Sequence, residues 1–464
     1  MDFRKHRLTD LAAKVRNREL SARELAAAAL TRIAEVDPEL NAWVTVDAER
    51  ALSEADGVDQ RLVAGDAVGP LAGIPIGVKD LEDAASFPTR YGSILSSDVP
   101  AVGDSVLVAR LRAAGCVVLG KTTTPELGHK GVTESPLTGA TRNPWSTERS
   151  PGGSSGGSAA AIASGMVPLA TGSDGGGSIR IPAALCGISA VKTTQGRVPN
   201  GGPKAPGSGI LTVKGPMTRL IADTAAALDV CVGPHPTDPF SLPRSGSPWH
   251  EAAAAPRLPS RVVWSASMGF ANVDREIAEH CEAAIATIEA AGVDVVVLDD
   301  LWAEDPVEAW YVMWSSLRAR AQAHLIDTPD WEKVDPSLRI QIEHGSTTSG
   351  VDVIRAIDAV HELNLQLDRA FEQAPILLTP MCSGQAPKIG HDGTINGETD
   401  PQWVSFSYGF NLTRNPAGSV RCGFTADGMP VGMQVVGRQL ADVAVIQTIA
   451  ALETVFGTEP LAPI

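Results

Sequence analysis

Two serines flanked by glycines are the residues of this sequence best suited to covalent chemistry. Ser154 and Ser178 stand 24 positions apart in the segment SPGGSSGGSAAAIASGMVPLATGSDGGGSIRIPAA, which covers 150–184. A serine hydroxyl can attack a carbonyl carbon once a base takes its proton. Neighbouring glycines lack a Cβ, so main-chain N–H groups can come close to a developing oxyanion. These residue types therefore indicate nucleophilic catalysis at a carbonyl group.

The same glycines and serines also fit a flexible linker, which is the usual meaning of a run such as GGSSGGS. Here the run is followed directly by the apolar segment AAAIASGMVPLA, and then by a turn that ends in Arg180 and Pro182. Linkers are not followed by buried-looking segments of this kind. Since the stretch between the two serines has the length of one helix and one strand, we predict ordered structure that positions them.

Elements of alternating type surround this segment. The sequence predicts a helix over 104–115 and a strand over 116–119, and later a strand over 261–266, a helix over 274–291 and a strand over 293–299. Repeated strand-helix-strand order is typical of a sheet flanked by helices. We therefore predict an α/β fold.

Capping residues and loop-forming residues in the sequence indicate where one helix begins and where two loops lie. Ser21 and Glu24 have the form of a capping box, and the apolar spacing after them predicts an amphipathic helix that ends before Pro38. Loop-forming residues occupy 200–209 and 241–256. No sequence period of about 20–50 residues repeats, so a solenoid or propeller is not predicted. We predict a single domain over the whole chain.

The run from Gly115 to Thr122, GCVVLGKT, matches the phosphate-binding pattern G-x-x-x-x-G-K-[ST]. In that motif the variable residues form a turn that wraps a phosphate and enters a helix. Here they are a β-branched apolar run followed by Thr-Thr-Pro, which predicts a strand. ATP binding is therefore not predicted.

Composition restricts the partners and the location. The chain has 464 residues, with 38 Lys and Arg against 54 Asp and Glu, and a formal net charge of −16. This charge repels phosphate backbones, so we predict no nucleic-acid partner and no binding to an anionic membrane.

Six widely spaced cysteines and dispersed histidines form no metal-ligand pattern, so no metal site is predicted. The charged N-terminus lacks the apolar core of a signal peptide, which predicts a cytoplasmic protein.

The segment at 150–184 resembles the amidase signature, and LAGIPIGVKD at 71–80 resembles the lysine-bearing strand of that family. The resemblance extends over nearly the whole chain through LSARELAAAALTRI, VVLGKTTTPELG, TRNPW and SVRCGFTADGMPVGMQVVG, in the order of the family. It implies the amidase signature fold, a mixed twisted central β-sheet covered on both faces by α-helices. It also implies a bacterial amidase that hydrolyses an amide C–N bond without a cofactor.

By this resemblance Ser178 in DGGGSIR is the nucleophile, Ser154 in PGGSSGG is a bridging serine on a cis peptide, and Lys79 is the base. Lys79 must be neutral to accept a proton, and burial beside Ile76 and Val78 would lower its pKa in that direction. A single lysine followed by acidic residues is otherwise usually a solvated surface charge, so the assignment of Lys79 depends on the family. The resemblance implies an acyl-enzyme that water releases.

The resemblance also assigns the turn that carries the nucleophile. It places an oxyanion hole at the backbone N–H groups of Gly175, Gly176, Gly177 and Ser178. It gives supporting roles to Ser155, as a hydrogen-bond donor, and to Asp174 and Arg180, as partners that hold the turn. If that pair were exposed instead, it would contribute little to stability.

Aromatic residues cluster on LWAEDPVEAWYVMWSSLRARAQ, a segment with helical spacing that includes Trp310, Tyr311 and Trp314. Such a stripe is more often core than pocket, and the alternative is the wall of a hydrophobic acyl or aryl pocket. In the family that the chain resembles, the middle of the sequence, here about 200–400, varies and shapes substrate access. We therefore hypothesise a bulky apolar or aryl amide substrate, with ester or carbamate (urethane) cleavage left open.

Two other functions stay open at this point. A glutaminase-type amidase subunit of an aminoacyl-tRNA amidotransferase would have the same triad, and a binding protein without activity could use the same fold. The intact triad disfavours the binding protein, and the segment GRVPNGGPKAPGSGILTVKGP departs from the pattern expected of the amidotransferase subunit. We therefore predict a free-standing hydrolase of small-molecule amides that acts as a monomer or homodimer.

Overall fold

The computed structural model describes residues 1–202, 205 and 209–464. The loop predicted at 200–209 lies largely outside the described residues. Within them the α-helices are α1 (Leu8–Arg16), α2 (Ala22–Leu40), α3 (Ala48–Ala64), α4 (Val106–Ala113), α5 (Gly156–Ala163), α6 (Arg180–Cys186), α7 (Ile221–Cys231), α8 (Trp249–Ala254), α9 (Arg275–Ala290), α10 (Val307–Gln322), α11 (Pro336–Thr347), α12 (Gly350–Gln373), α13 (Gly409–Leu412) and α14 (Asp442–Phe456). The β-strands are β1 (Trp43–Val46), β2 (Pro75–Lys79), β3 (Val117–Thr122), β4 (Glu134–Ser135), β5 (Gly139–Ala140), β6 (Leu169–Asp174), β7 (Ala190–Lys192), β8 (Val213–Thr218), β9 (Arg261–Trp264), β10 (Asp294–Val297), β11 (Ile376–Pro380), β12 (Thr394–Ile395), β13 (Glu398–Thr399), β14 (Ala417–Phe424) and β15 (Pro430–Gly437). Short 3-10 helices cover Phe3–Lys5, Glu126–Gly128, Ala323–Leu325 and Trp331–Lys333.

The long strands form two mixed sheets flanked by helices, which confirms the predicted fold class. One sheet has the order β1-β3-β2-β6-β8, and the other has the order β10-β9-β11-β15-β14-β7. In the first sheet β2 is parallel to both β3 and β6, whereas the outer strands β1 and β8 are antiparallel to their neighbours. The two sheets meet where β7 contacts β8. One apolar core runs under both sheets, from Phe3 to Leu452.

The segment with the glycine-flanked serines is ordered and entirely packed, so the linker interpretation is wrong. Helix α5 and strand β6 occupy the stretch between the two serines, and every residue of both is buried. Small residues are required there because the backbone of α5 lies against its neighbours. A Cβ at Gly157 would lie 2.5 Å from the backbone nitrogen of Thr123 and 2.6 Å from the carbonyl oxygen of Ala42.

Several predicted elements are confirmed and two boundaries are wrong. The strands and helix predicted between 261 and 299 correspond to β9, α9 and β10, and the phosphate-loop look-alike is the buried strand β3. The break predicted at 241–256 contains helix α8, which packs on α7 and α14 through the buried Trp249.

Helix α2 does not end before Pro38 but continues through it to Leu40. Two bonds close this last turn without the N–H that proline lacks. The N–H of Asn41, in the left-handed conformation, donates to the carbonyl of Asp37, and the Asp37 carboxylate accepts the N–H of Ala42 at 2.6 Å. None of the helices in the described ranges combines the length and apolarity needed to cross a bilayer.

Two helix glycines give opposite predictions for stability. A Cβ at Gly345 in α11 would lie 2.0 Å from the carbonyl oxygen of Ser315 in α10, whereas a Cβ at Gly57 in α3 would meet nothing within 4 Å. Gly345→Ala should lower the free energy of unfolding by ~1–3 kcal/mol through overpacking. Gly57→Ala should raise it by ~0.5–1 kcal/mol through helix propensity. Denaturant unfolding measures both, and a Gly345→Ala protein as stable as the wild type would contradict this packing of α10 on α11.

Candidate active site

Lys79 is the last residue of β2, and its side chain is completely buried. Its Nζ lies 2.8 Å from Oγ of both Ser154 and Ser155. The third hydroxyl neighbour is Ser173, with Oγ at 3.0 Å. Burial lowers the pKa of Lys79 to about 7. Because its hydrogen-bond partners among the described residues are hydroxyls and the carbonyl of Ser173 rather than a carboxylate, no ion pair holds the amine in its charged form.

The register of the sheet brings Ser173 to Lys79. Strands β2 and β6 are parallel, with Ile76 opposite Leu169, so their carboxyl ends lie at the same edge of the sheet. The backbone N–H of Lys79 donates to Oγ1 of Thr171 at 2.9 Å, which ties the two strand ends together. Residues that follow these strands are therefore held around the amine.

Ser154 and Ser155 lie in the turn before α5. The peptide bond between Gly153 and Ser154 is cis, as the family resemblance implies. Ser155 links three parts of the site: its N–H donates to the carbonyl of Ser178 at 3.2 Å, and its hydroxyl lies between Lys79 and the backbone of Ser173. The two serine turns thus lie against each other, with Ser178 keeping 9% of its surface exposed.

A glycine outside the signature segment also touches this site. Gly128 has φ +68°, and a Cβ at this position would lie 3.1 Å from Oγ of Ser154 and 2.7 Å from Cδ1 of Leu81. Only a residue without a side chain fits there without disturbing the serine. Gly128 therefore fixes the space available to the Ser154 hydroxyl.

The carboxylate of Asp174 shapes the glycine turn that leads to Ser178. It accepts the N–H of Gly177 at 2.7 Å and the N–H of Ile179 at 3.2 Å. The N–H of Gly177 is therefore occupied, which differs from its predicted place in the oxyanion hole. Among the described residues, the N–H groups of Gly175, Gly176 and Ser178 have no such acceptor.

Asp174 is itself held by a buried ion pair with Arg180. Nε and Nη2 of Arg180 contact the two carboxylate oxygens at 2.9 and 3.0 Å, and both side chains have no exposed surface. Burial raises the pKa of Asp174, but the charge and hydrogen bonds of Arg180 outweigh it and hold the pKa well below its usual range. The remaining donors of Arg180 reach Oδ1 of Asn411 and Oε1 of Gln434, both at 2.7 Å.

Two of the three predicted aromatic residues cover the glycine turn. Nε1 of Trp310 donates to the carbonyl of Gly175 at 2.9 Å, and Trp310 stacks on Trp314 with 5.2 Å between ring centroids. A Cβ at Gly176 would lie 2.6 Å from the Trp310 ring, and one at Gly175 would lie 2.5 Å from the Trp314 ring. Tyr311 is not part of this wall, because its ring packs on His344 of α11 at 4.8 Å.

Five residues at the site carry no predicted role, although three of them lie within quoted motifs: Gly128, Ser173, Ser407, Asn411 and Gln434. Ser407 donates to the carbonyl of Gly176 at 2.7 Å, so two successive carbonyls of the turn are fixed by side chains. One sequence signal was available, since Gln434 is a polar residue inside the apolar strand PVGMQVVG and a buried amide needs partners.

Comparisons with known proteins identify the family of the chain. The sequence model of the amidase family matches residues 24–446. An acylamidase of Rhodococcus erythropolis is 37% identical, with 96% of this chain and 94% of that protein covered. A subunit of the glutamyl-tRNA(Gln) amidotransferase of Synechococcus sp. (strain CC9605) is 32% identical, with 100% and 99% covered. The crystal structure of a bacterial aryl acylamidase of the amidase signature family has a TM-score of 0.90 and 28% identity, covering 97% of this chain and 96% of that one.

The chain therefore belongs to the amidase family and is an amide hydrolase of the amidase signature type. Its fold is the amidase signature fold, as the resemblance implied. Its site combines a buried amine, hydroxyls at hydrogen-bond distance from it and backbone N–H groups without acceptors.

The buried ion pair gives a prediction for stability. Asp174→Asn leaves the Arg180 guanidinium buried without its counter-charge, and the free energy of unfolding should fall by ~3–5 kcal/mol. The matched control is Asp294→Asn, which breaks the pair with Arg261 where both side chains are half exposed. That change should cost ~1 kcal/mol or less. Equal losses for the two variants in denaturant unfolding would contradict a structural role for the buried pair.

Proposed function

We propose that this member of the amidase family is a free-standing acylamidase with Ser178 as nucleophile, Ser154 as proton relay and Lys79 as base. The observation that carries the proposal is the buried amine of Lys79, which lies 2.8 Å from the Ser154 hydroxyl and has a pKa near 7 because of burial. A lysine must be neutral to accept a proton, and this environment favours that state at physiological pH.

The proposed reaction begins with transfer of the Ser154 proton to neutral Lys79, while Ser154 takes the proton of Ser178. The Ser178 oxygen attacks the amide carbonyl, and the negative charge develops on the carbonyl oxygen. Ser154 then returns a proton to the leaving amine, and the C–N bond breaks. Water attacks the resulting acyl ester by the same relay, which releases the carboxylic acid and restores Ser178.

The oxyanion hole that we propose uses the N–H groups of Gly175, Gly176 and Ser178. Gly177 contributes indirectly, since its N–H bonds to Asp174 and thereby sets the turn. Preorganised donors of this kind stabilise a developing charge because they need no reorganisation during the reaction. The carbonyls of Gly175 and Gly176 are bound by Trp310 and Ser407, which supports a rigid turn.

The proposed substrates are small-molecule amides with a bulky apolar or aryl group. Trp310 and Trp314 form an apolar wall directly beside the glycine turn, which supports an acyl or aryl pocket there. The names of the acylamidase and aryl acylamidase relatives point to the same class of substrate. Esters and carbamates stay within the scope of the proposal, because the same nucleophile and oxyanion hole act on any activated carbonyl.

We also propose that residues 1–464 act as one domain in a cytoplasmic monomer or homodimer, with a substrate-shaping region at about 200–400. The continuous apolar core under both sheets supports one domain, and six free cysteines are consistent with a reducing compartment. A glutaminase subunit of an amidotransferase remains the second candidate, since such subunits are 32% identical over the full length of this chain.

The first test measures hydrolysis of 4-nitroanilides, 4-nitrophenyl esters, aryl carbamates and glutamine by the purified protein. Wild type should release 4-nitroaniline, and Ser178→Ala and Lys79→Ala should each lose at least about 1000-fold in kcat because each removes a member of the proposed triad. Lys130→Ala serves as the control, since Lys130 is partly exposed and pairs with Asp335.

The outcomes of this panel separate the candidates. Retained anilide hydrolysis in Ser178→Ala would contradict the proposed nucleophile. Glutamine turnover without anilide turnover would favour the amidotransferase subunit, and a lack of hydrolysis across the panel would contradict the acylamidase proposal.

The pKa of Lys79 predicts the pH profile. Below pH 7 the lysine is protonated and cannot accept the relay proton, so kcat/KM should rise with pH and level off above about 7. At pH 5 about 1% of the amine is neutral, and the rate should be about 100-fold below the plateau. Circular dichroism at pH 5 controls for unfolding. A profile that is flat between pH 5 and 8, with the fold intact, would contradict Lys79 as the base.

A further inference from the structure

Arg318 is a buried cation beside the proposed catalytic residues that the proposed mechanism does not use. It lies on α10, with 5% of its surface exposed. Its guanidinium carbon lies 3.9 Å from the centroid of the Trp314 ring, which is a cation–π contact. Its Nη1 donates to the carbonyl oxygen of Leu127 at 2.8 Å. These two contacts fix the plane and one corner of the guanidinium.

The opposite edge of the guanidinium has no partner among the described residues. Nε and Nη2 of Arg318 are buried, and neither has a hydrogen-bond acceptor in the described part of the chain. These two nitrogens carry the parallel N–H groups of an arginine, the pair that binds both oxygens of a carboxylate. With Nη1 already bound to Leu127, the edge suited to a carboxylate is the edge that is left free.

Arg318 differs in this respect from Arg180, the other fully enclosed arginine of the site. Arg180 bonds to Asp174, Asn411 and Gln434 and has no unpartnered nitrogen. Burial of a charged donor without an acceptor is costly, and burial lowers the pKa of Arg318 to about 9. An acceptor that arrives with the substrate would relieve this cost.

The contacts of Arg318 place this residue close to the reacting groups. Its anchor, Leu127, immediately precedes Gly128, the glycine that faces Oγ of Ser154. The ring on which it stacks, Trp314, covers Gly175 of the oxyanion turn. Burial is the main cause of the lowered pKa of Lys79, and the charge of Arg318 acts in the same direction. Arg318 is thus joined to both the relay serine and the glycine turn.

A second unpartnered polar atom lies in the same region. Oγ1 of Thr212 is buried without a hydrogen-bond partner in the described ranges. It would be 2.9 Å from a Cβ at Gly175, next to the Trp314 ring. The apolar surface of Trp314 therefore has two unpartnered polar groups in its neighbourhood, the Thr212 hydroxyl and the guanidinium edge of Arg318.

We propose that Arg318 binds a carboxylate of the substrate, so that the preferred amides carry an acidic group as well as an apolar or aryl part. This inference rests on the proposed function, because it assigns a subsite next to the same nucleophile. The two parallel donors match the two oxygens of a carboxylate. The carboxylate belongs either to the acyl half or to the amine half of the amide, and the experiment distinguishes the two.

The experiment compares matched pairs of substrates that differ in one carboxylate. On the acyl side the pair is glutaryl 4-nitroanilide and pentanoyl 4-nitroanilide, and on the amine side it is 4-acetamidobenzoate and 4-acetamidotoluene. The wild-type enzyme should favour the carboxylated member of one pair by about 10- to 100-fold in kcat/KM, the range expected for charged hydrogen bonds. The pair that shows the preference identifies the half that carries the acid.

Variants of Arg318 then test the origin of the preference. Arg318→Gln should bring the ratio of the two kcat/KM values close to 1, and Arg318→Lys should keep only part of it, because lysine retains the charge without the parallel donors. The control is Arg355→Gln, which removes the same charge from an arginine that is 75% exposed on α12. Its ratio should equal that of the wild type.

Binding to an inactive protein gives a second readout that does not depend on turnover. In Ser178→Ala, 4-acetamidobenzoate and glutaramate should quench tryptophan fluorescence at lower concentration than their neutral counterparts, 4-acetamidotoluene and pentanamide. The additional Arg318→Gln change should remove that difference for the side that carries the acid. Equal affinity within both pairs would overturn the inference.

Failure of this inference and failure of the proposed function give different experimental results. If neutral anilides are hydrolysed but neither pair shows a carboxylate preference, the carboxylate subsite is refuted and the acylamidase proposal stands. If no anilide is hydrolysed, the acylamidase proposal fails and the binding titration alone decides whether Arg318 holds a carboxylate. A loss in Arg318→Gln that is equal for both members of a pair indicates a structural role and also refutes the subsite.

Discussion

The ion pair between Asp174 and Arg180 is fully buried, and the geometry of the site depends on it. Asp174 ends a strand of the first sheet, and Arg180 begins the helix after the nucleophile turn. The same guanidinium reaches Gln434 in the second sheet and Asn411 in α13. The Asp174 carboxylate therefore sets the glycine turn through the N–H of Gly177, and the Arg180 guanidinium connects this turn to the second sheet. Such a pair is costly to bury, and its contribution is to specify one arrangement of the turn.

Asp174 and Lys79 are both buried at this strand edge, but their surroundings favour the charged form of Asp174 and the neutral form of Lys79. Asp174 has a guanidinium and backbone donors around it, so its pKa falls although burial alone would raise it. Lys79 lies in the same interior with hydroxyl partners, and burial brings its pKa to about 7. The charged state of a buried group is thus set by its partners more than by its depth. This difference separates a permanent structural charge from an amine that can exchange a proton.

Helix α10 covers the glycine turn of the site. Trp310 and Trp314 are one helical turn apart, stack on each other and cover two glycines of the turn. Arg318 continues the same face one further turn along and stacks on Trp314. The helix thus presents an apolar wall that ends in a cation. A side chain at either covered glycine would collide with this wall, so the packing of α10 requires glycine at both positions.

The sequence by itself determined the class of fold and the candidates for the reacting groups. The glycine-flanked serines, the alternation of strands and helices and the apolar strand before Lys79 are local patterns, and local patterns depend on residue type and spacing. The tertiary structure alone decided which distant groups surround them: Gly128, Ser173, Ser407, Asn411, Gln434 and Arg318. It also decided that Tyr311 faces α11 and that α2 continues through Pro38. These outcomes depend on contacts between residues far apart in the chain, where spacing carries no information and burial, register and unpaired donors set the chemistry.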